Sequence, residues 1–244
     1  MAETSTPKVP MKIKLDLSGK QRLMAGLSWE PIFSKDAPNA EASTQREKIF
    51  TDDVMGIFYR VYYYLYEVKR SYSFLVHIRS AEKDEDGKGR EKNYAHYDLD
   101  LLCYVLDKEG KPAAYSGPAA SDMIDKEEVV YHSGEDYSGY GGNDDEQVHI
   151  EMNHIPEAYQ NIFFIAASDS KFSLNQVKGP SIRLVDCKTE KTITETPIKA
   201  PVDKETYAYI YGRLYRKGSE WFFQEIGEFT DGEQDWPVYL KKYI

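Results

Sequence analysis

From residue 96 to residue 228 the chain consists of one short strand-like segment after another, and this succession limits the folds open to it. The predicted strands cover 96–106, 127–132, 146–152, 161–167, 181–187, 192–198, 205–216 and 220–228. Turn residues separate them, among them Lys-Glu-Gly at 108–110, Lys-Gly-Pro at 178–180 and Lys-Gly-Ser at 217–219. Two further short strands are predicted within 11–29, around Ser18 and Gly19. Many short strands separated by turns are typical of an antiparallel β-sandwich, so we predict an all-β fold.

The segment from residue 31 to residue 95 breaks this pattern. Residues 31–46 are rich in small and polar residues and predict a loop. An amphipathic helix is predicted over 51–70, because apolar residues recur there at helical spacing behind Thr51 as a plausible N-cap. The apolar positions are Phe50, Val54, Ile57, Phe58, Val61, Leu65, Val68 and Tyr72. Tyrosines at 62–64 and 66 also favour strands, so a β interpretation stays open.

A strand over 73–79 and a charged hairpin loop over 82–92 complete this segment. We therefore expect a disordered leader over 1–10. A single domain over 11–244 is then expected to carry an inserted helix and hairpin at 31–95.

The composition narrows the classes of function. With 244 residues, of which 41% are hydrophobic, the chain can bury one good core. Its net charge of -10 argues against a nucleic-acid-binding surface, which needs clustered Lys and Arg. The two cysteines, Cys103 and Cys187, lie in apolar strand-like runs, which favours a reducing compartment. A polar start without an apolar core and the lack of an 18-residue apolar run predict a cytoplasmic protein.

Residues 133–146 form an acidic, glycine-rich loop with five carboxylates and four glycines but no Lys or Arg. Like charges on one short loop repel each other unless a cation lies among them. Glycines let the backbone turn sharply, and hard oxygen ligands suit calcium better than zinc or copper. The loop does not match an EF-hand. The alternative interpretation is a solvated acidic hairpin loop.

A second acidic pair, Asp98 and Asp100, opens an apolar strand. The alternation of a strand directs both side chains to the same face, where carboxylates beside a buried strand need partners. With His96 they form His-x-Asp-x-Asp, a possible ligand set of a metallohydrolase. No second His-rich motif and no obvious nucleophile or base accompanies this set.

Several segments, taken in order, resemble the TerD-type stress and tellurium-resistance proteins. They are Ala-Gly-Leu-Ser-Trp at 25–29, Tyr-Asp-Leu-Asp-Leu at 97–101, His-Ser-Gly-Glu-Asp at 132–136, Gly-Gly-Asn-Asp-Asp-Glu at 141–146, Ala-Ser-Asp at 167–169, Asn-Gln-Val at 175–177, Ile-Arg-Leu-Val at 182–185, Tyr-Gly-Arg-Leu-Tyr-Arg at 211–216 and Glu-Trp at 220–221. The resemblance covers roughly 11–29 and 96–230, and leaves 31–95 without a counterpart. It implies a β-sandwich that binds one or two calcium ions and acts in stress tolerance without known catalysis.

The resemblance also implies where calcium binds. The expected metal ligands are carboxylates of the Asp-x-Asp strand and the acidic loop, with one supporting residue near a strand end. They are Asp98, Asp100, Glu135, Asp136, Asp144, Asp145, Glu146 and Asp169. Backbone carbonyls around Gly139 and Gly141 complete the expected shells. Glu135 stands where the family usually has Asp, and Gly142 stands where another acidic residue is common, so one of two sites is expected to be weaker or lost.

The resulting expectation is a calcium-binding, non-enzymatic protein that acts as a binding or scaffold component of a stress-response assembly. One alternative is a calcium-dependent module that binds membrane surfaces peripherally, and a second is a metal-dependent hydrolase. Tyr59, Tyr63 and Tyr66 fall partly outside the apolar stripe of the helix at 51–70, and tyrosine is favoured at interfaces. We therefore expect this helix to contact a protein partner or a second copy of the chain.

Overall fold

Alternating burial along the strands defines the fold. In a computed structural model of the chain, the described residues are 12–16, 21–30, 97–136, 139, 144–168 and 172–244. The chain divides into two compact units, residues 1–32 with 96–244 and residues 33–95, and every described residue belongs to the first. The strand Leu99–Leu106 shows the alternation well: Leu99, Leu101 and Cys103 are fully buried, while the residues between them are partly exposed. Such a period of two is expected of a strand with one face on a core.

Eleven strands and two short helical turns make up the described part of the chain. They are β1 Lys12–Lys14, β2 Arg22–Glu30, β3 Leu99–Leu106, β4 Pro112–Ser116, β5 Val130–His132, β6 Glu146–Glu151, β7 Asn161–Ser168, β8 Lys178–Asp186, β9 Lys191–Pro197, β10 Ala208–Lys217, β11 Glu220–Thr230, α1 Trp236–Leu240 and a 3-10 turn Lys241–Tyr243. One sheet has the order β1-β11-β10-β7-β3-β4 and the other β5-β6-β2-β8-β9. All pairs of neighbouring strands are antiparallel, which confirms the predicted β-sandwich.

The main core lies between the two sheets. Leu27 of β2 and Ile182 of β8 come from one sheet, and Leu101 of β3 and Phe164 of β7 come from the other. All four side chains are fully buried in one cluster. Burial of apolar surface of this kind is the main force that holds the two sheets together.

A second, smaller core covers the outer face of the six-stranded sheet. There α1 places Trp236 and Leu240 against Phe163, Ile165 and other residues of that face. Strand β7 is therefore buried on both faces, with Phe164 in the main core and Phe163 under the C-terminal helix. This explains why β7 appears in the sequence as an unbroken apolar run.

The structure adds elements that the sequence patterns do not predict. Strand β4 has only Ser116 buried, so no apolar alternation marks it. Helix α1 is five residues long and contains a proline in its first turn, too short for a helical period. The predicted turn at 178–180 is wrong: β8 already begins at Lys178, and a register shift opposite Ser28 and Glu30 accommodates Gly179, whose φ is 60°. Such an irregularity is a β-bulge, not a chain reversal.

The loop, helix and hairpin predicted at 31–95 fall outside the described residues. Of the described residues, none belongs to a helix long and apolar enough to cross a membrane.

Candidate metal centre

Asp98 directly precedes β3, and Asp100 is the second residue of that strand. Leu99 pairs with Ser168 and Asp100 pairs with Ala167, so β7 supports this end of β3 from one side. On the other side β4 pairs with β3 only from Cys103 onward. Leu99 and Leu101 enter the core, and the two aspartates are left partly exposed. The strand geometry therefore presents the two carboxylates at a sheet edge that β4 leaves open.

Glu135 joins this pair from a different part of the chain. It follows β5, and its carboxylate lies with those of Asp98 and Asp100 so that one oxygen of each falls within 4.8 Å of the others. Two oxygens on opposite sides of a calcium ion are about 4.6 to 5.2 Å apart, because each bond is about 2.3 to 2.6 Å long. The three carboxylates therefore fit a single calcium-sized cation, and their partial exposure leaves room for water ligands.

The short segment that carries Glu135 is tied to β6. The N–H of Ser133 donates to the carbonyl of Gln147 at 2.8 Å, and the N–H of Gln147 donates to Oγ of Ser133 at 2.9 Å. Gly134 has a φ of 100°, a conformation that residues with a side chain rarely adopt. The N–H of Gly134 donates to Nδ1 of His132 at 3.0 Å. These contacts turn the chain directly after β5 and direct it toward β3.

Glu146 lies behind the centre, and its side chain is completely buried. Oε2 accepts the N–H of Leu101 at 2.7 Å, and Oε1 accepts the N–H of Asp136 at 3.2 Å. Burial raises the pKa of Glu146, the two backbone donors oppose this, and the charges of Asp136 and Asp98 raise it further. His132 Nε2 lies 3.3 Å from Oε2, and burial lowers the pKa of His132. The structure thus gives Glu146, a predicted ligand, partners within the protein.

Asp144 is also held by another residue. Its carboxylate accepts two hydrogen bonds from Arg183, from Nε at 2.8 Å and from the terminal nitrogen at 2.7 Å. The pair lies over Gly26, where a Cβ atom would meet the Asp144 carboxylate at 2.4 Å. The acidic loop contains no basic residue, but the fold supplies one from β8. The acidic loop alone does not predict this pairing of Asp144 with Arg183.

Asp145 and Asp136 bind backbone N–H groups. Oδ2 of Asp145 accepts the N–H of Trp29 at 2.9 Å, and Oδ1 of Asp136 accepts the N–H of Gly139 at 3.1 Å. Among the described residues, Asp98, Asp100 and Glu135 are the carboxylates gathered into a cation-sized cluster. Asp169, Gly141, Gly142 and His96 lie outside the described residues, so their predicted roles stay predictions.

Trp29 is a site residue that the sequence analysis missed. Its indole Nε1 donates to the carbonyl of Tyr97, the residue before Asp98, at 2.9 Å. Gly139, with a φ of 66°, lies so close to the indole that a Cβ atom would be 2.5 Å from Nε1. Trp29 therefore contacts both the Asp-x-Asp strand and the acidic loop. Its position in the matched segment 25–29 was the only available signal.

The comparisons with known proteins identify the family of the chain. A family model described as the TerD domain matches residues 75–234, well over half of the chain. The chain therefore belongs to the TerD-domain family. The matched range begins at residue 75, so it includes the last part of the segment 31–95 that the resemblance left without a counterpart.

Two relatives illustrate the similarity in sequence. Tellurium resistance protein TerD of Serratia marcescens is 28% identical over 137 residues, which cover 54% of this chain and 71% of the relative. General stress protein 16U of Bacillus subtilis (strain 168) is 30% identical over 146 residues, which cover 56% of this chain and 72% of the relative.

A solved structure supports the fold. The crystal structure of a homologue of telluride resistance protein (TerD) from Streptomyces coelicolor A3(2) has a TM-score of 0.54 and 11% sequence identity. The alignment covers 91% of this chain and 96% of that structure. At this identity the likeness shows the fold alone.

Proposed function

We propose that this protein binds calcium through Asp98, Asp100 and Glu135 and acts without catalysis in a stress response. One observation carries the proposal: three carboxylates from two distant segments lie with one oxygen each within 4.8 Å of the others. Two like charges about 4 Å apart repel each other by about 4 kcal/mol at an effective dielectric constant near 20. A cation at this point would remove that repulsion, and the all-oxygen ligand set favours calcium over zinc or copper.

A binding or scaffold role fits the surroundings of the centre. His132, which contacts the supporting residue Glu146, is only 2% exposed and is directed away from solvent. A hydrolytic metal site requires a water activated at an open coordination position beside groups that transfer protons. Because His132 is directed away from solvent, it does not supply such a group, and this favours a binding or scaffold role. The relatives named for tellurium resistance and general stress support a stress-resistance role for this chain.

Calcium titration by calorimetry tests the proposal. Asp98→Asn, Asp100→Asn and Glu135→Gln are expected to weaken calcium binding at least about tenfold each, because each removes a charged ligand. The matched controls Asp203→Asn and Glu157→Gln change exposed carboxylates and should leave the affinity unchanged. Equal affinities for the ligand variants and the controls would refute the site.

A thermal melt provides an independent readout. At a free calcium concentration of 100 times the dissociation constant, the gain is about 2.7 kcal/mol, which raises Tm by about 5 to 10 °C for a chain of this size. The variant that combines Asp98→Asn, Asp100→Asn and Glu135→Gln should melt at the same temperature with calcium and with chelator.

The same triple variant should fail to protect cells under tellurite or oxidative stress where the wild type does. Calcium-dependent pelleting with anionic vesicles would instead indicate the membrane-surface role.

A further inference from the structure

We infer that Glu146 positions the calcium ligands by joining the two segments that carry them, and that it does not bind the ion itself. The inference rests on the proposed calcium site. It assigns to a buried carboxylate a role that neither its charge nor its place in the acidic loop indicates.

The contacts of Glu146 reach both ligand-bearing segments. Oε2 accepts the N–H of Leu101, which follows Asp100, and Oε1 accepts the N–H of Asp136, which follows Glu135. One side chain thus fixes the separation between the Asp-x-Asp strand and the segment after β5. The bond to Leu101 is buried, which keeps water from replacing it, whereas the bond to Asp136 is part-buried.

The register of the sheet explains why a carboxylate is needed here. Strand β4 pairs with β3 only from Cys103 to Leu106, so the N–H of Leu101 lies beyond the end of its neighbour. A buried N–H without an acceptor costs about 1 to 3 kcal/mol. Glu146, the first residue of β6, supplies that acceptor from the opposite sheet.

His132 lies beside the same carboxylate on a third side. Its Nδ1 accepts the N–H of Gly134, so in the neutral ring the proton lies on Nε2, which faces Oε2 of Glu146 at 3.3 Å. His132 ends β5 and begins the segment that leads to Glu135. The Glu146 carboxylate therefore contacts β3, the end of β5 and the segment beyond it.

Glu146→Gln tests this role with almost no change of volume. An amide has one acceptor oxygen, so it can serve only one of the two backbone N–H groups, and its NH₂ group must face the other. The shorter bond, to Leu101 at 2.7 Å, should persist, whereas Asp136 loses its acceptor. Glu135 would then move away from Asp98 and Asp100. We expect calcium affinity to fall about 10- to 100-fold, as for other supporting residues of metal sites.

A double-mutant cycle separates positioning from direct ligation. If Glu146 acts through the position of Glu135, then Glu146→Gln should cost about tenfold or more in the wild type but less than about twofold in a Glu135→Gln background. A direct ligand would cost the same factor in both backgrounds. General destabilisation would likewise act equally in both. An Asp98→Asn background is the matched control, and there the full loss from Glu146→Gln should persist.

A second variant keeps the inference testable if Glu146→Gln does not fold. Ser133→Ala removes the 2.9 Å bond from the N–H of Gln147 and loosens the same segment from a different side. It should lower calcium affinity in the wild type and have little effect in the Glu135→Gln background. Trp29 contacts Tyr97 beside Asp98, so terbium emission sensitised by Trp29 reports the occupancy of the metal site independently of calorimetry.

The outcomes distinguish the two claims. If Asp98→Asn, Asp100→Asn and Glu135→Gln leave calcium affinity unchanged, the proposed function fails. If these variants lose affinity but Glu146→Gln has no effect, or its effect is additive with that of Glu135→Gln, only the positioning role is overturned. The same holds for Ser133→Ala where it replaces Glu146→Gln.

Discussion

At the scale of single residues, the acidic loop separates into carboxylates with different tasks. Glu135 lies with Asp98 and Asp100 in the cation-sized cluster, whereas Asp144 forms an ion pair with Arg183. The Asp144 side chain is 3% exposed, and the guanidinium beside it compensates for the water that its carboxylate has lost. Sequence proximity to a clustered carboxylate is therefore a poor guide to the role of its neighbours.

Asp144→Asn should lower stability but not calcium affinity. The amide keeps the volume, yet it loses one acceptor and the charge that pairs with Arg183. We expect a loss of about 1 to 3 kcal/mol in the free energy of unfolding, measured with chelator present. Calcium affinity should change less than about threefold, against at least about tenfold for Asp100→Asn. A loss of affinity as large as that of Asp100→Asn would make Asp144 a ligand.

At the scale of elements, the C-terminal segment depends on one carboxylate of β11. Glu228 accepts hydrogen bonds from Tyr239 at 2.5 Å and from Lys242 at 2.6 Å, and it also contacts the hydroxyl of Tyr243. Burial opposes ionisation of Glu228, but these three donors outweigh it and lower its pKa. Trp236 of α1 is only 6% exposed and packs against the outer face of the six-stranded sheet.

Glu228→Gln should loosen α1 and the 3-10 turn without affecting the metal centre. Hydrogen exchange of residues 236–243 should become faster, while calcium affinity stays within about twofold of the wild type. An acid with a lowered pKa stabilises the fold above its unfolded pKa, and this contribution disappears as the pH falls through the folded value. The protection factors of residues 236–243, which correct exchange rates for the intrinsic pH dependence of amide exchange, should therefore fall in the wild type as the pH falls below about 4.5, and those of the variant should not. Equal pH responses would exclude Glu228 as the cause.

The elements also show what the sequence predicts and what it does not. Period-two alternation located β3 and the shared face of Asp98 and Asp100, because that pattern is local. Strand β4 and α1 carry no such pattern: only Ser116 of β4 is buried, and α1 is buried by residues distant in sequence such as Phe163 and Ile165. The pairing of Asp144 with Arg183 depends on register across β2, which places Arg183 opposite Gly26. No local rule foresees that pair, nor the reach of Glu146 to the opposite sheet.

At the scale of the whole molecule, the sandwich and the candidate metal centre belong to the unit formed by residues 1–32 and 96–244. The three clustered carboxylates and their supports, Trp29 and Glu146, all belong to it. The centre joins the two sheets at one end, since β3 lies in one sheet while β5 and β6 lie in the other. Calcium bound there would link both layers of the fold.

Replacing residues 33–95 by a short Gly-Ser linker should leave a folded, calcium-binding sandwich. Trp29 and Tyr97 are hydrogen-bonded across the ends of this segment, so a short linker can join them without strain on the core. We expect the difference in Tm between calcium and chelator to stay within about 2 °C of the full-length value, because the ligands and their supports remain. Light scattering should show whether the segment that carries Tyr59, Tyr63 and Tyr66 also mediates assembly.

A variant that lacks only residues 33–74 is the matched control, because it keeps the whole range that matches the TerD domain. If both deletions bind calcium like the full chain, the metal centre is complete without the segment. If the longer deletion folds but loses calcium and the shorter one does not, residues 75–95 contribute to the site. The predicted interface at 51–70 requires both deletions to be monomeric where the full chain is larger, and a monomeric full chain that captures no partner would contradict it.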